Sequence, residues 1–120
     1  FTLLNPHVYL DTVLLVGSIG AQQPAALRGW SQAGADLILG GHIHLPFVAA
    51  LREAHGLPRE VWAVQAGTAL SRRTRPGVPN SVNLIRHAPG AGNCTIERWD
   101  FAAESQVFQL GTSTDVALDR

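Results

Sequence analysis

The sequence predicts an α/β fold in which a parallel β-α-β run is followed by antiparallel strands. Short apolar runs bounded by turn residues recur along the chain, one segment repeats apolar residues at helical spacing, and the carboxyl-terminal half alternates apolar and polar residues. With 120 residues, 46% of them hydrophobic, the chain is long enough to bury a core. We expect the carboxyl-terminal part of a single domain over residues 1–110 and a loose polar tail over residues 111–120.

The first half of the chain carries the β-α-β pattern. Thr12 to Gly17 is typical of a strand, and Asp36 to Gly40 is typical of the next strand. Between them, Gln22 to Ala33 predicts a helix, because Pro24 is tolerated in a first helical turn and Gly34 ends the pattern. If the two strands are parallel, the connection is right-handed and the helix covers the sheet.

The second half of the chain predicts one further helix and several strands. Phe47 to His55 is expected to form a short helix that ends at Gly56. Four later segments alternate apolar and polar residues over short runs, as antiparallel strands do. These segments are Val61 to Gln65, Ser81 to His87, Cys94 to Phe101 and Gln106 to Leu110.

A Gly-His-x-His turn follows the strand that ends at Gly40. Gly40 and Gly41 allow the backbone to turn sharply there, and ligand sites of α/β sheets lie at the carboxyl ends of strands. His42 and His44, separated by one residue, can project to the same side of an extended segment. Imidazole is a common metal ligand, so the two histidines are candidate metal ligands.

The segment from Ala35 to Pro46 resembles the last metal-binding motif of the calcineurin-like metallophosphoesterases, in which Gly-His-x-His follows an apolar strand. The resemblance extends roughly from Ala25 to Phe108, with an arginine-bearing loop after the next strand. It implies a partial metallophosphoesterase-type β-sandwich flanked by helices. It also implies that His42 binds the second metal of a two-metal centre and His44 the first.

The resemblance further implies a hydrolase that cleaves a phosphate-ester substrate through two divalent ions, either manganese, iron or zinc. Two such ions lower the pKa of a bridging water and hold the attacking and leaving oxygens. Arg72, Arg73 and Arg75 are candidate substrate-binding residues, because guanidinium groups pair well with phosphate oxygens. A solvated basic loop is the alternative for these arginines.

Several motifs of that family have no counterpart in this chain. The early Asp-x-His, the Gly-Asp and the Gly-Asn-His-Asp/Glu do not occur, and His7 is the nearest candidate for a further histidine ligand. The chain begins with Phe, so we expect a carboxyl-terminal fragment that contains no catalytic residue and is inactive alone.

Composition excludes some classes of partner and favours a cytoplasmic protein. The formal net charge is zero, which gives no strong signal for nucleic acid. No apolar run approaches the roughly 18 residues of a membrane-spanning helix, so we expect no membrane partner. A single cysteine, Cys94, forms no internal disulfide and is compatible with a reducing compartment. The sequence does not predict the oligomeric state.

Two alternative functions stay open at this stage. One is a non-catalytic α/β interaction module in which the histidine pair is structural. The other is a mononuclear zinc hydrolase, in which His42 and His44 are joined by a third ligand and an open water position. The candidates for that third ligand are His7, His55 and His87.

Overall fold

The computed structural model describes residues 24–118. Two helices and six strands follow one another in this part of the chain. In order they are α1 (Pro24–Gln32), β1 (Leu37–Gly40), β2 (Phe47–Ala50), α2 (Arg52–His55), β3 (Trp62–Gln65), β4 (Ser81–Arg86), β5 (Asn93–Ala102) and β6 (Val107–Ala117).

The strands form two three-stranded sheets. Sheet A has the order β1-β3-β2, with β1 parallel to β3 and β2 antiparallel to it. Sheet B has the order β4-β5-β6 and is antiparallel throughout. Strand β3 lies between β1 and β2, and its successive side chains alternate between the two faces of sheet A.

Helix α1 covers one face of sheet A. Leu27 on the helix is 1% exposed and belongs to the same buried cluster as Ile38 of β1 and Ala63 of β3, with Trp30 packed against it. The cluster is completed by Leu51, Leu57 and Val61. The helix predicted from apolar spacing is thus confirmed over Pro24–Gln32.

The other face of sheet A packs on sheet B. Val64 of β3 joins Cys94, Ile96 and Val116 of sheet B in a second buried cluster. Neighbouring residues on β3 point to opposite faces, so Ala63 serves the first cluster and Val64 the second. The described residues therefore form three layers in the order helix, sheet A, sheet B.

Most of the predicted strands are confirmed to within one residue at each end. The strand predicted over Asp36 to Gly40 spans Leu37–Gly40, and those starting at Val61, Ser81 and Cys94 correspond to β3, β4 and β5. The expected antiparallel pairing holds throughout sheet B, but β3 also pairs in parallel with β1. The strand predicted over residues 12–17 lies outside the described residues.

Two segments differ from their predictions. Phe47–Ala50 forms β2 rather than the first half of a helix, because it pairs with β3, with Val48 opposite Val64. Only Arg52–His55 is helical, and it ends at Gly56, whose φ of 59° is left-handed. Gly111 to Ala117, expected in a loose tail, belongs to β6 because it pairs with the amino-terminal half of β5.

Candidate functional site

The candidate site lies at the carboxyl ends of β1 and β3. The two strands are parallel and end side by side, with Gly40 opposite Gln65. Two loops leave this edge of sheet A: residues 41–46, here called the histidine loop, and residues 66–80, here called the arginine loop. Parallel pairing therefore brings together two loops that are distant in sequence.

The histidine loop is tied to the end of β3 at its first two residues. The backbone N–H of Ala66 donates to the carbonyl of Gly40 at 2.8 Å, and the Gln65 side-chain amide donates to the carbonyl of Gly41 at 2.5 Å. A Cβ atom at residue 40 would overlap Oε1 of Gln65. Glycine is needed at this position because of close approach to a buried glutamine, which the sequence alone did not reveal.

Both histidines have left-handed backbone conformations. His42 has a φ of 70° and is the central residue of a γ-turn, in which the N–H of Ile43 donates to the carbonyl of Gly41 at 2.8 Å. His44 has a φ of 57°. Non-glycine residues in this region cost of order 1–3 kcal/mol each and are concentrated at functional sites.

The ring of His44 has a defined tautomer. Its Nδ1 lies 2.6 Å from the carbonyl oxygen of Arg73 in the arginine loop. A carbonyl oxygen can only accept a hydrogen bond, so Nδ1 carries the hydrogen and donates. The lone pair of the neutral ring is then on Nε2, the arrangement in which a histidine commonly binds a metal.

A second contact joins the two loops. The Nε of Arg75 donates to the carbonyl of Ile43 at 3.0 Å, between the two histidines. Arg72, Arg73 and Arg75 are all exposed. The structure thus places the predicted arginines beside the predicted histidines, where Arg73 contributes its carbonyl and Arg75 its guanidinium.

The arginine loop is shaped by short-range hydrogen bonds. The Asn80 side chain donates to the carbonyls of Thr68 and Ser71, at 3.0 and 2.9 Å. The N–H of Ser71 donates to the Thr68 hydroxyl at 3.1 Å, and the N–H of Arg73 to the Ser71 hydroxyl at 3.0 Å. Turn residues from Pro76 to Asn80 predict a loop here, but the sequence does not reveal that the Asn80 side chain bridges two of its carbonyls.

The other predicted ligand candidates do not join the histidine pair. His55 ends α2, and the Nδ1 of His87 faces the carbonyl of Asn93 at 3.1 Å. Among residues 24–118, no three His, Cys, Asp or Glu side chains are grouped so that they could hold a metal ion. His7 lies outside the described residues.

Asp36 and Cys94 lie away from the candidate site, near the opposite end of β1. Asp36 precedes β1 and forms an ion pair with Arg59. Burial raises the pKa of the Cys94 thiol, and the carboxylates of Asp36 and Asp115 raise it further. The thiol is therefore protonated and unreactive at neutral pH.

Comparison with known proteins shows local similarity to amino-acid exporters. The chain is 59% identical over 34 residues to the arginine exporter protein ArgO of Photorhabdus laumondii, covering 28% of this chain and 16% of that protein. It is 38% identical over 78 residues to the putative amino-acid transporter YggA of Aeromonas salmonicida, covering 58% and 38%. For YggA of Aeromonas hydrophila the identity is 40% over 63 residues, covering 45% and 28%.

These matches are partial. The chain spans between 16% and 38% of the length of these three relatives. No protein-family model matches the chain, and no solved structure matches it. The assignment of the two packed sheets to a metallophosphoesterase-type β-sandwich therefore stays a prediction, as does the description of residues 1–110 as part of a single domain.

The relatives contradict the function predicted from the Gly-His-x-His resemblance. They are named as exporters and transporters of amino acids, so the predicted metallophosphoesterase membership, hydrolase activity and phosphate-ester substrate are wrong. The predicted cytoplasmic location and the absence of a membrane partner are contradicted by the same names. Within residues 24–118, no helix is both long and apolar enough to cross a membrane.

Proposed function

We propose that this chain is part of a protein that exports amino acids, with arginine as the substrate class. The supporting observation is the identity shared with the ArgO and YggA proteins, which reaches 59% over 34 residues. Export moves a solute across a membrane, so the proposal places the intact protein at a membrane.

The electrostatics of the candidate site indicate where the exported arginine does not bind. Arg72, Arg73 and Arg75 lie on one exposed loop, which contacts the histidine loop at His44 and Ile43. A cationic substrate would be repelled by such a cluster, since like charges at close range disfavour each other. The substrate path of the proposed exporter therefore lies away from the histidine and arginine loops.

The export proposal is tested by efflux from cells. A bacterial strain that lacks its own arginine exporter is loaded with labelled arginine, with and without the gene that encodes this chain. We expect faster loss of labelled arginine from cells that express the gene, and unchanged loss of labelled glutamate. Equal arginine efflux with the gene and with the empty vector would overturn the proposal.

A second function, divalent metal binding by His42 and His44, is supported by a separate observation. Hydrogen bonding to the Arg73 carbonyl leaves Nε2 of His44 as the free lone pair, and the γ-turn holds His42 in a strained conformation close by. We propose that both imidazoles bind divalent metal ions, with manganese, iron or zinc as candidates. The number of ions, two by our sequence prediction, stays a proposal.

The donor set of the described residues fits part of a metal site. Zinc sites use four ligands, of which catalytic sites take three from protein, and His42 and His44 supply two imidazoles. No third His, Cys, Asp or Glu joins them within residues 24–118, so the remaining protein ligands belong to other parts of the protein. The metal, when bound, would supply Lewis acidity, and this chain would supply one ring nitrogen from each histidine, of which the His44 nitrogen is oriented by the hydrogen bond to Arg73.

Metal binding is tested by equilibrium dialysis of the intact protein against Zn²⁺ or Mn²⁺. We expect His42→Ala and His44→Ala each to weaken the affinity for the metal by at least about tenfold, because each removes a ligand. His55→Ala is the matched control, since it removes an imidazole of α2, which lies outside the histidine loop. Unchanged metal content in both histidine-loop variants would exclude the site.

The efflux assay separates the two functions. The double variant His42→Ala/His44→Ala should lose bound metal and keep arginine efflux, because the proposed substrate path avoids these loops. Loss of efflux with retained protein level would instead place the histidine loop in transport.

A further inference from the structure

The interior between the two sheets changes from apolar to polar along sheet B. Toward the amino-terminal end of β5, Cys94 and Ile96 face sheet A in the buried cluster. Residues two apart on a strand share a face, so Arg98 and Asp100 continue this inward row. The strand therefore directs a cation and an anion toward the space between the sheets, where 30% and 22% of their side-chain surface stays exposed.

One cross-strand row of sheet B is polar over all three strands. Asn83 of β4 pairs with Arg98 of β5, which pairs with Thr112 of β6. Across the gap, sheet A contributes Phe47 and Gln65. Together with neighbouring residues these side chains line a cavity of about 170 Å³ between the sheets. It has room for several water molecules or one small organic molecule.

An ion pair holds the guanidinium of Arg98 in place. Its Nε lies 2.9 Å from Oδ1 of Asp100, and its Nη2 donates to Oδ2 at 3.0 Å. Only the Nη2 contact is a hydrogen bond, whereas Nε and Oδ1 are paired by charge and form no hydrogen bond among the described residues. The third nitrogen, Nη1, has no hydrogen-bond partner among residues 24–118, so its two N–H groups are available.

A β-bulge makes room for this ion pair. Arg98 is opposite Thr112 and Trp99 is opposite Leu110, so Gly111 is the additional residue on β6. A Cβ atom at Gly111 would overlap Oδ2 of Asp100. The bulge and Gly111 therefore lie at the position where they leave room for the Asp100 carboxylate.

The neighbouring polar groups also keep unused hydrogen-bonding capacity. The hydroxyls of Thr112 and Thr114, which line the cavity, have no side-chain partner within the described part of the chain. Asn83 donates through Nδ2 to the carbonyl of Gln65 at 3.2 Å, which leaves its Oδ1 as an acceptor. Thr112 is exposed and Thr114 and Asn83 are half-buried, so these groups are open to water or to a ligand that enters the cavity.

We propose that this cavity binds a small monocarboxylate, for which acetate is the simplest probe. The carboxylate accepts from the free Nη1 of Arg98 and from the Thr112 hydroxyl, and its short apolar group lies against Phe47 and Val48. Charge-assisted contacts from a held guanidinium supply the specificity. Asp100 already neutralises part of the guanidinium charge, so affinity is weak, in the millimolar range. This site is separate from the histidine loop and does not depend on the function proposed above.

The test is an NMR titration of the intact, ¹⁵N-labelled protein with sodium acetate, at constant ionic strength maintained with sodium chloride. We expect saturable shifts of the amide signals of Asn83, Arg98 and Thr112. Shifts that grow linearly without saturation, or that chloride alone reproduces, would overturn the proposal.

Three substitutions sharpen the titration. Thr112→Val should weaken acetate binding about tenfold by removing a donor to a charged group, whereas Ser113→Ala on the opposite face of β6 should leave it unchanged. Asp100→Asn should tighten binding, because it removes the competing negative charge. Equal affinities of all three variants and the unmodified protein would refute the assigned contacts, and far-ultraviolet circular dichroism verifies that each variant is folded.

Discussion

The histidine loop and the hairpin loop between β4 and β5 both contain left-handed backbone positions, but different residue types occupy them. In the hairpin, residues 87–92, the left-handed position is occupied by Gly90, with a φ of 79°. In the histidine loop the left-handed positions are occupied by His42 and His44. Glycine adopts this conformation without a steric penalty, whereas an imidazole side chain does not.

The steric cost of the two left-handed histidines is offset by contacts with other segments, which the hairpin does not need. The hairpin closes on itself, with the N–H of Ala91 donating to the carbonyl of Ala88 at 3.0 Å. The histidine loop is held from outside by Gln65, by the Arg73 carbonyl and by Arg75. Strain of this kind persists only where the surroundings impose it, and it therefore marks the histidine loop as the candidate site.

The largest effect is expected at the entrance of the histidine loop. Gly40→Ala should destabilise the protein by about 1–3 kcal/mol, because the new methyl group overlaps the buried Gln65 side chain. Urea unfolding followed by circular dichroism measures this change. Gly92→Ala is the control, since no atom lies within 4 Å of the added Cβ and its effect should stay within about 0.5 kcal/mol. Equal stability of both variants would refute the close approach.

In the hairpin loop, a purely conformational penalty is expected. Gly90→Ala meets no atom within 4 Å, so only its φ of 79° opposes the methyl group. The expected loss is about 1–2 kcal/mol, again measured by urea unfolding. A neutral result would show that the hairpin can change its turn type, and that its left-handed residue is not required.

The reverse substitution is expected to stabilise the histidine loop. His42→Gly should raise the free energy of unfolding by up to about 1 kcal/mol, because it relieves strain at a position without a cross-loop ring contact. His44→Gly relieves similar strain but loses the hydrogen bond to Arg73, worth about 1 kcal/mol, and should be nearly neutral. If His42→Gly destabilised the protein instead, the strain argument would fail.

The smallest effect is expected in thiol chemistry next to the hairpin. Cys94 is buried and its pKa is raised, chiefly by burial, so less thiolate is present at any given pH than for a free cysteine. Alkylation by iodoacetamide should be slow at neutral pH and should increase only at higher pH than for a free thiol. Gly90→Ala should increase the rate at fixed pH by favouring local opening. A rate equal to that of free cysteine in the unmodified protein would contradict the burial.

Local sequence patterns predicted most of the elements, because their cause is local. The helix ends near Gly34 and α2 ends at Gly56, where both glycines have positive φ. Strands β3, β4 and β5 follow apolar alternation closely. In contrast, Phe47–Ala50 forms a strand because it pairs with the edge of β3. That pairing cannot be predicted from the residues of the segment itself.

The function inferred from a short motif failed for a related reason. Gly-His-x-His involves four residues at positions 41–44, and such a motif constrains a turn and two imidazoles rather than a whole reaction. The similarity to exporters extends over 34 to 78 residues, and the proteins that share it are named as an arginine exporter and a putative amino-acid transporter. The histidine pair therefore remains a proposed ligand set, whereas the phosphate-ester hydrolysis predicted from it is contradicted.

The sequence alone determined the positions of turns, the alternation of strands and the pairing of two histidines after a strand. These depend on residue types and on spacing along a few neighbours. Only the tertiary structure decided that the arginine loop meets the histidine loop, that His44 carries its hydrogen on Nδ1, and that Arg98 and Asp100 face the interior. Each of these depends on strand pairing between segments distant along the chain, and pairing is chosen by the packing of the whole sheet.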